Sequence, residues 1–223
     1  MKTRITLLAL LFSIVGMCGS AAAYMITYDY TLEANGNGYT SSVSGAVVED
    51  FNGGVLSSGW TLAGNYDLVQ GSLSGKYAAP MGLNIPDTSY YLTVPKDNGS
   101  GTAAFQLDMD YDYLGLWWGS VDSYNSIEFF NDNSLVETIS GPEAINPSTA
   151  NGNQLAPATN LYVNFFDLAD FDEFRLTSTS YAFEVDNIAV ANAPAPVPEP
   201  ATLLLLGSGL SGLALYRRKR KGE

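Results

Sequence analysis

Ile26, Tyr28, Tyr30 and Leu32 alternate with Thr27, Asp29 and Thr31, the two-residue period of a β-strand with one buried face. The same alternation recurs at Tyr90, Leu92 and Val94, at Ala103, Phe105, Leu107 and Met109, and at Ile127 and Phe129. Runs rich in β-branched and aromatic residues at 162–166, 174–177 and 181–190 predict further strands. Turn clusters separate them: Asn35-Gly36-Asn37-Gly38, Asn52-Gly53-Gly54, Asn98-Gly99-Ser100-Gly101 and Asn151-Gly152-Asn153, built from residues that tolerate positive φ. No stretch between residues 24 and 192 sustains a helical period. Many short strands with Gly-rich turns predict an all-β antiparallel sandwich, jelly-roll-like, with a barrel as the structural alternative.

Two connections depart from this rhythm. Residues 141–159 carry Pro142, Pro147 and Pro157 with little apolar pattern, and are expected to cross between sheets or cover one end. Residues 65–86 read similarly, but Leu68, Val69 and Leu73 offer a further strand.

The two ends follow other patterns. Lys2 and Arg4 precede an apolar run from Ile5 to Met17, and Ala21 and Ala23 supply the small residues that a signal peptidase requires. Residues 1–23 are therefore expected to be a signal helix removed on export. Cys18 follows Met17, where a lipid-modification site wants a small residue, so lipidation is rejected. Cleavage near Ala23 removes Cys18, the only cysteine, and leaves a mature chain without thiol or disulfide.

At the other end, residues 193–200 alternate proline with small residues and predict an extended spacer after a domain at 24–192. Pro198 and Pro200 fix φ and remove two backbone donors around Glu199. The run from Ala201 to Tyr216 is uncharged, somewhat shorter than the roughly 17–25 residues of a spanning helix. Gly207, Gly209 and Gly212 weaken it as a helix. Arg217, Arg218, Lys219, Arg220 and Lys221 would hold the 217–223 tail in the cytoplasm and leave everything before Pro200 outside.

Val197-Pro198-Glu199-Pro200, the apolar run and the basic end together resemble the PEP-CTERM sorting signal of exosortase-dependent bacterial surface proteins. The resemblance implies cleavage near the motif by a membrane-embedded exosortase, transient residence in the inner membrane of a Gram-negative-type cell, and release to the envelope or extracellular polysaccharide. An ordinary C-terminal anchor that is never cut is the alternative. Residues 113–125 and 182–190 also look like recurrent stretches of such proteins, whose bodies resemble jelly-roll carbohydrate-binding modules.

Charge and composition narrow the chemistry. Lys76, Lys96 and Arg175 are the only cations between the two ends, whereas all but two of the chain's 23 acidic residues lie there. The body is thus more acidic than the whole-chain net charge of −13. Such a surface repels nucleic acid and anionic lipid. The absence of histidine removes Ser-His-Asp triads, His-bearing zinc sites and imidazole general acids. Carboxylate pairs remain, and could in principle hydrolyse a glycosidic bond.

No cofactor is required, although calcium is a candidate. Asp108, Asp110 and Asp112 share one face of a predicted strand, but they fail as an EF-hand loop because Tyr113 and Gly119 stand where Gly and a bidentate Glu belong. The simpler reading has the aspartates facing water opposite a core face of Phe105, Leu107, Met109 and Tyr111. Asp167, Asp170, Asp172 and Glu173 form a second acidic group of the same kind. Trp117 and Trp118 adjoin, so in a strand they point to opposite faces; either is a candidate platform for a sugar ring, with packing of both as the plainer alternative. Trp60 is expected in the core. Glu184 and Asp186 would bind loop backbone or ligate calcium.

Three functions follow: an exported non-catalytic surface or matrix protein associated with exopolysaccharide or biofilm, a lectin-like module, or a carboxylate glycosidase.

Overall fold

The computed structural model describes residues 24–33 and 38–195. The expected signal peptide, the sorting motif at Val197 to Pro200, the apolar run and the basic end lie outside the described residues, as do Ala21 and Ala23. The described chain forms β1 (Met25–Thr27), β2 (Thr31–Leu32), β3 (Tyr39–Thr40), β4 (Val47–Glu49), β5 (Thr61–Gly64), β6 (Asp67–Val69), β7 (Met81–Gly82) and β8 (Ile85–Pro86). It continues with β9 (Tyr91–Val94), β10 (Gly101–Tyr111), β11 (Tyr113–Gly119), β12 (Asn125–Asn131), β13 (Ser134–Ser140), α1 (Gly141–Ala144), β14 (Leu161–Phe166), β15 (Phe171–Ser178) and β16 (Phe183–Ala191).

Two antiparallel sheets dominate. One runs β1-β14-β11-β16-β9-β6, with β4 also on β16, and the other β13-β12-β15-β10-β5. From β10 onward the chain passes repeatedly from one sheet to the other, as strands of a jelly roll do. Among the described residues both sheets keep free edges, so the barrel alternative does not hold there. Among the described residues no helix is long and apolar enough to cross a membrane.

Aromatic side chains fill the space between the sheets. Phe105 and Phe174 stack at 4.6 Å between centroids, and Trp60 meets both edge-on at 6.4 Å. Trp118 stacks on Phe183 at 4.3 Å. Each fully buried ring of this size contributes roughly 1.5–3 kcal/mol through area removed from water.

The larger sheet is also covered on its outer face, which the alternation pattern did not foretell. Trp117, Tyr162 and Tyr39 form one cluster there, and Tyr113, Phe166, Ala189, Ala191 and Ala193 another. Consequently β11 and β16 are buried along their whole length. Ala193 packs here, and its N–H donates to Asp112 Oδ1 at 2.9 Å. The expected free spacer from 193 therefore begins as docked chain.

The first predicted strand is interrupted. After Thr27 pairs with Asn164, the chain leaves the sheet, and Tyr28, Tyr30 and Leu32 are exposed rather than core-facing. Tyr28 instead donates to the carbonyl of Ala144, and Tyr30 lies 4.2 Å from the Tyr39 ring. Met109 likewise departs from the expected core face and is 51% exposed, because the β10 register shifts between Gln106 and Tyr111.

Candidate functional site

Four segments converge where β11 leaves the larger sheet and β16 enters it. They enclose a cavity of about 410 Å³ lined by Lys76, Tyr77, Asp122, Tyr124, Gln154, Tyr181 and Glu184, among others. The Leu73–Tyr77 bridge closes the first segment, and the Asp122–Asn151 bridge ties the second to the third.

Glu184 lies at the buried edge of this cavity, at 2% exposure. Its Oε1 accepts from the Ala78 N–H at 2.8 Å, and its Oε2 accepts from Ser120 Oγ at 2.8 Å. Burial pushes its carboxyl up to about 7, with the charge of Asp122 adding to the effect, although the Ala78 and Ser120 bonds oppose it. Ser120 is held in the left-handed region at φ 42°, a conformation that costs a non-glycine residue of order 1–3 kcal/mol. Asn160 offsets part of this, because its Oδ1 accepts from Ser120 N–H at 3.0 Å and from Met81 N–H at 3.1 Å. The Asn160 amide also donates to the carbonyls of Asn153 and Ala156, so one buried side chain ties three of the segments together.

Asp122 is the half-buried carboxyl of the cavity, raised above its ordinary range by burial. Gly152 makes room for it: at φ +68° a Cβ there would run into the Asp122 carboxylate. Tyr124 donates to the carbonyl of Tyr181 at 2.6 Å and fixes the opposite wall.

The structure answers the sequence-derived candidates one by one. Trp117 and Trp118 do point to opposite faces, but both are fully buried, so neither presents a ring to a sugar. The cover over the outer face, including Tyr39 at 5.3 Å from Trp117, hides the one that an open sheet would expose. Trp60 is in the core as expected.

Asp108, Asp110 and Asp112 are not brought together. Among the described residues no group of three or more acidic, histidine or cysteine side chains is placed to hold a metal ion. Asp108 accepts from Tyr111 at 2.9 Å, Asp110 is exposed, and Asp112 holds Ala193. In the second acidic group, Glu173 is bonded to Arg175, whose guanidinium sits 3.9 Å over the Phe130 ring.

Glu184 and Asp186 bind backbone, one of the two roles expected for them. Asp186 Oδ1 accepts from the Asn187 N–H at 2.8 Å, and burial together with the neighbouring Asp87 raises its carboxyl well above the usual range. The roles of Lys76, Asp122, Tyr124, Gln154 and Tyr181 were not legible in the sequence. Their segments were marked only in general terms: residues 65–86 and 141–159 as long connections, Asn151-Gly152-Asn153 as a turn, residues 113–125 as a recurrent stretch and residues 181–190 as a strand.

Residues 196–221 match the PEP-CTERM protein-sorting motif, a stretch that contains Val197 to Pro200 and Arg217 to Lys221. No curated protein matches the chain. Solved structures that are distantly similar to the chain include the following three. CpGH89CBM32-6 of Clostridium perfringens is 15% identical at a TM-score of 0.31, with 58% of this chain and 94% of that chain covered. CBM32-3 from a family 31 glycoside hydrolase of the same organism is 15% identical at 0.33, with 59% and 91% covered. The K2 cleaved adhesin domain of Lys-gingipain is 14% identical at 0.31, with 68% and 100% covered.

Proposed function

We propose that this chain is an exported bacterial surface protein, delivered through its PEP-CTERM motif and cut by an exosortase near Pro198-Glu199-Pro200. The match of residues 196–221 to the sorting motif carries this reading. In it, signal peptidase removes residues 1–23, the run from Ala201 to Tyr216 is a temporary inner-membrane anchor, and the β-sandwich is left at the cell surface or in the extracellular polysaccharide of a Gram-negative-type cell. The acidic body suits an aqueous, extracellular matrix and disfavours nucleic acid as a partner.

The exported body acts by binding rather than by catalysis. Asp122 and Glu184 line the same cavity, the pairing that a carboxylate glycosidase would need. Yet both oxygens of Glu184 are engaged, by Ala78 and Ser120, whereas a general acid must offer its proton to the leaving oxygen. Calcium has no assembled site to recommend it among the described residues.

The sorting reading is tested by fractionating cells that express wild type or Glu199→Ala. Wild type should appear shortened outside the inner membrane and the variant full-length within it. Identical fractionation of the two would overturn the proposal. No release of reducing sugar from the host's own polysaccharide is expected.

A further inference from the structure

The cavity beneath Lys76, Asp122 and Gln154 has the features of a built site rather than a surface dimple. Its volume of about 410 Å³ falls within the roughly 300–1,000 Å³ of small-molecule clefts. Its buried edge is a carboxyl at 2% exposure, and one of the residues bonded to that carboxyl, Ser120, stands in a strained backbone conformation. Strain of this kind persists only where the surroundings over-determine it, and it clusters at ligand sites. The cavity beside Asp67 and Lys96 is of similar size, about 490 Å³, but its lining holds no buried carboxyl and no non-glycine residue at positive φ, and its two charges pair with each other at 3.7 Å across an exposed surface.

The lining specifies the chemistry of the occupant. Asp122 accepts hydrogen bonds, while Lys76 donates them and Gln154 does both. Tyr77, Tyr124 and Tyr181 add ring surface with polar tips. The strongly acidic body around the cavity disfavours phosphates, nucleotides and uronates. An uncharged ring that carries several hydroxyls and apolar C–H faces satisfies every part of this wall.

We propose that the cleft is a saccharide site that takes an uncharged sugar ring, with Asp122 accepting from ring hydroxyls and Lys76 and Gln154 donating to them. This rests on the reading that the exported body binds rather than catalyses. It moves the glycan contact from Trp117 and Trp118 to residues contributed by loops.

The test uses the full-length chain in a detergent without a sugar headgroup, titrated calorimetrically with neutral gluco-, manno-, galacto- and xylo-oligosaccharides and with an oligo-uronate. At least one neutral oligosaccharide should bind, and Asp122→Asn and Lys76→Ala should each weaken it about tenfold, a loss of about 1.4 kcal/mol. Asp122→Asn preserves shape, and Lys76 is exposed, so unchanged unfolding midpoints will show that the fold survives. Failure of every neutral oligosaccharide to bind, preference for the uronate, or unchanged affinity in both variants would overturn the proposal. Because the unsorted chain is what is titrated, these outcomes are independent of the Glu199→Ala fractionation.

Discussion

Ser120 Oγ and Glu184 Oε2 meet at 2.8 Å, joining residues 64 positions apart at the wall of the cleft. The carboxyl there is buried enough to hold its proton up to a pH of about 7, against an ordinary value of 4.5. A folded-state value above the unfolded one means that the native state binds the proton more tightly. The stabilisation is therefore complete below about pH 4.5 and is lost as pH rises through about 7.

Stability should fall across that window by on the order of 3 kcal/mol from this group. Urea unfolding from pH 4.5 to 8 should show the decline, and Glu184→Gln should make it shallower, the raised carboxyls of Asp122 and Asp186 keeping the remainder. Parallel wild-type and variant curves would refute this assignment.

Trp117 is the next expectation, because its burial depends on a cover that the sequence pattern did not reveal. Its ring packs with Tyr39 and Tyr162 on the outer face of the larger sheet. Trp117→Ala should cost about 3–5 kcal/mol, seen as a lower urea midpoint, and leave the affinity for a sugar bound in the cleft unchanged at temperatures where the fold persists. Loss of that affinity in a folded Trp117→Ala protein would restore the tryptophan as a binding residue.

Gly115 gives a third. A Cβ at this position would collide with the hydroxyl of Tyr113 and crowd that of Tyr162. The Tyr113 hydroxyl bonds Asn164 Oδ1 at 2.7 Å and Ser41 Oγ at 2.8 Å, and the Tyr162 hydroxyl donates to the Asn187 carbonyl at 3.0 Å. Gly115→Ala should therefore destabilise by about 1–3 kcal/mol, the usual range for overpacking a filled interior. A calorimetric melting temperature matching wild type would contradict the close approach.

The strands were readable where one face meets the core and the other meets water. Ala103 to Leu107, and Ile127 and Phe129, alternate between buried and more open positions as the period requires. The period failed where the environment is not two-sided: at β11 and β16, sealed on both faces, and at Tyr28 to Leu32, where the chain leaves the sheet. The cleft was less legible still: Asp122 and Gln154 reach it from connections whose sequence states only that the chain reverses, and Glu184, at the start of β16, was marked as a binder of backbone or calcium but not as the wall of a cavity. Glu49 shows the same limit, because nothing local distinguishes it from the solvated acids around it.

Glu49 is fully buried, and its carboxylate organises the loop that follows β4. Oε1 accepts from the Phe51 N–H at 2.9 Å, while Oε2 accepts from the Ser57 and Ser58 N–H groups at 2.7 and 2.8 Å. A carboxylate is suited to this task because both of its oxygens only accept. Glu49→Gln has nearly the same shape but turns an amide N–H₂ toward one set of these donors, so that the backbone N–H groups it faces lose their acceptor. Each orphaned buried donor costs about 1–3 kcal/mol, so the variant should lose on the order of 2–4 kcal/mol in urea unfolding. Residues 50–58 should also become cleavable under limited proteolysis before the rest of the domain. A Gln variant within about 0.5 kcal/mol of wild type, the range of a featureless surface change, would show that the loop is held by its apolar contacts, Phe51 above all, and not by the carboxylate.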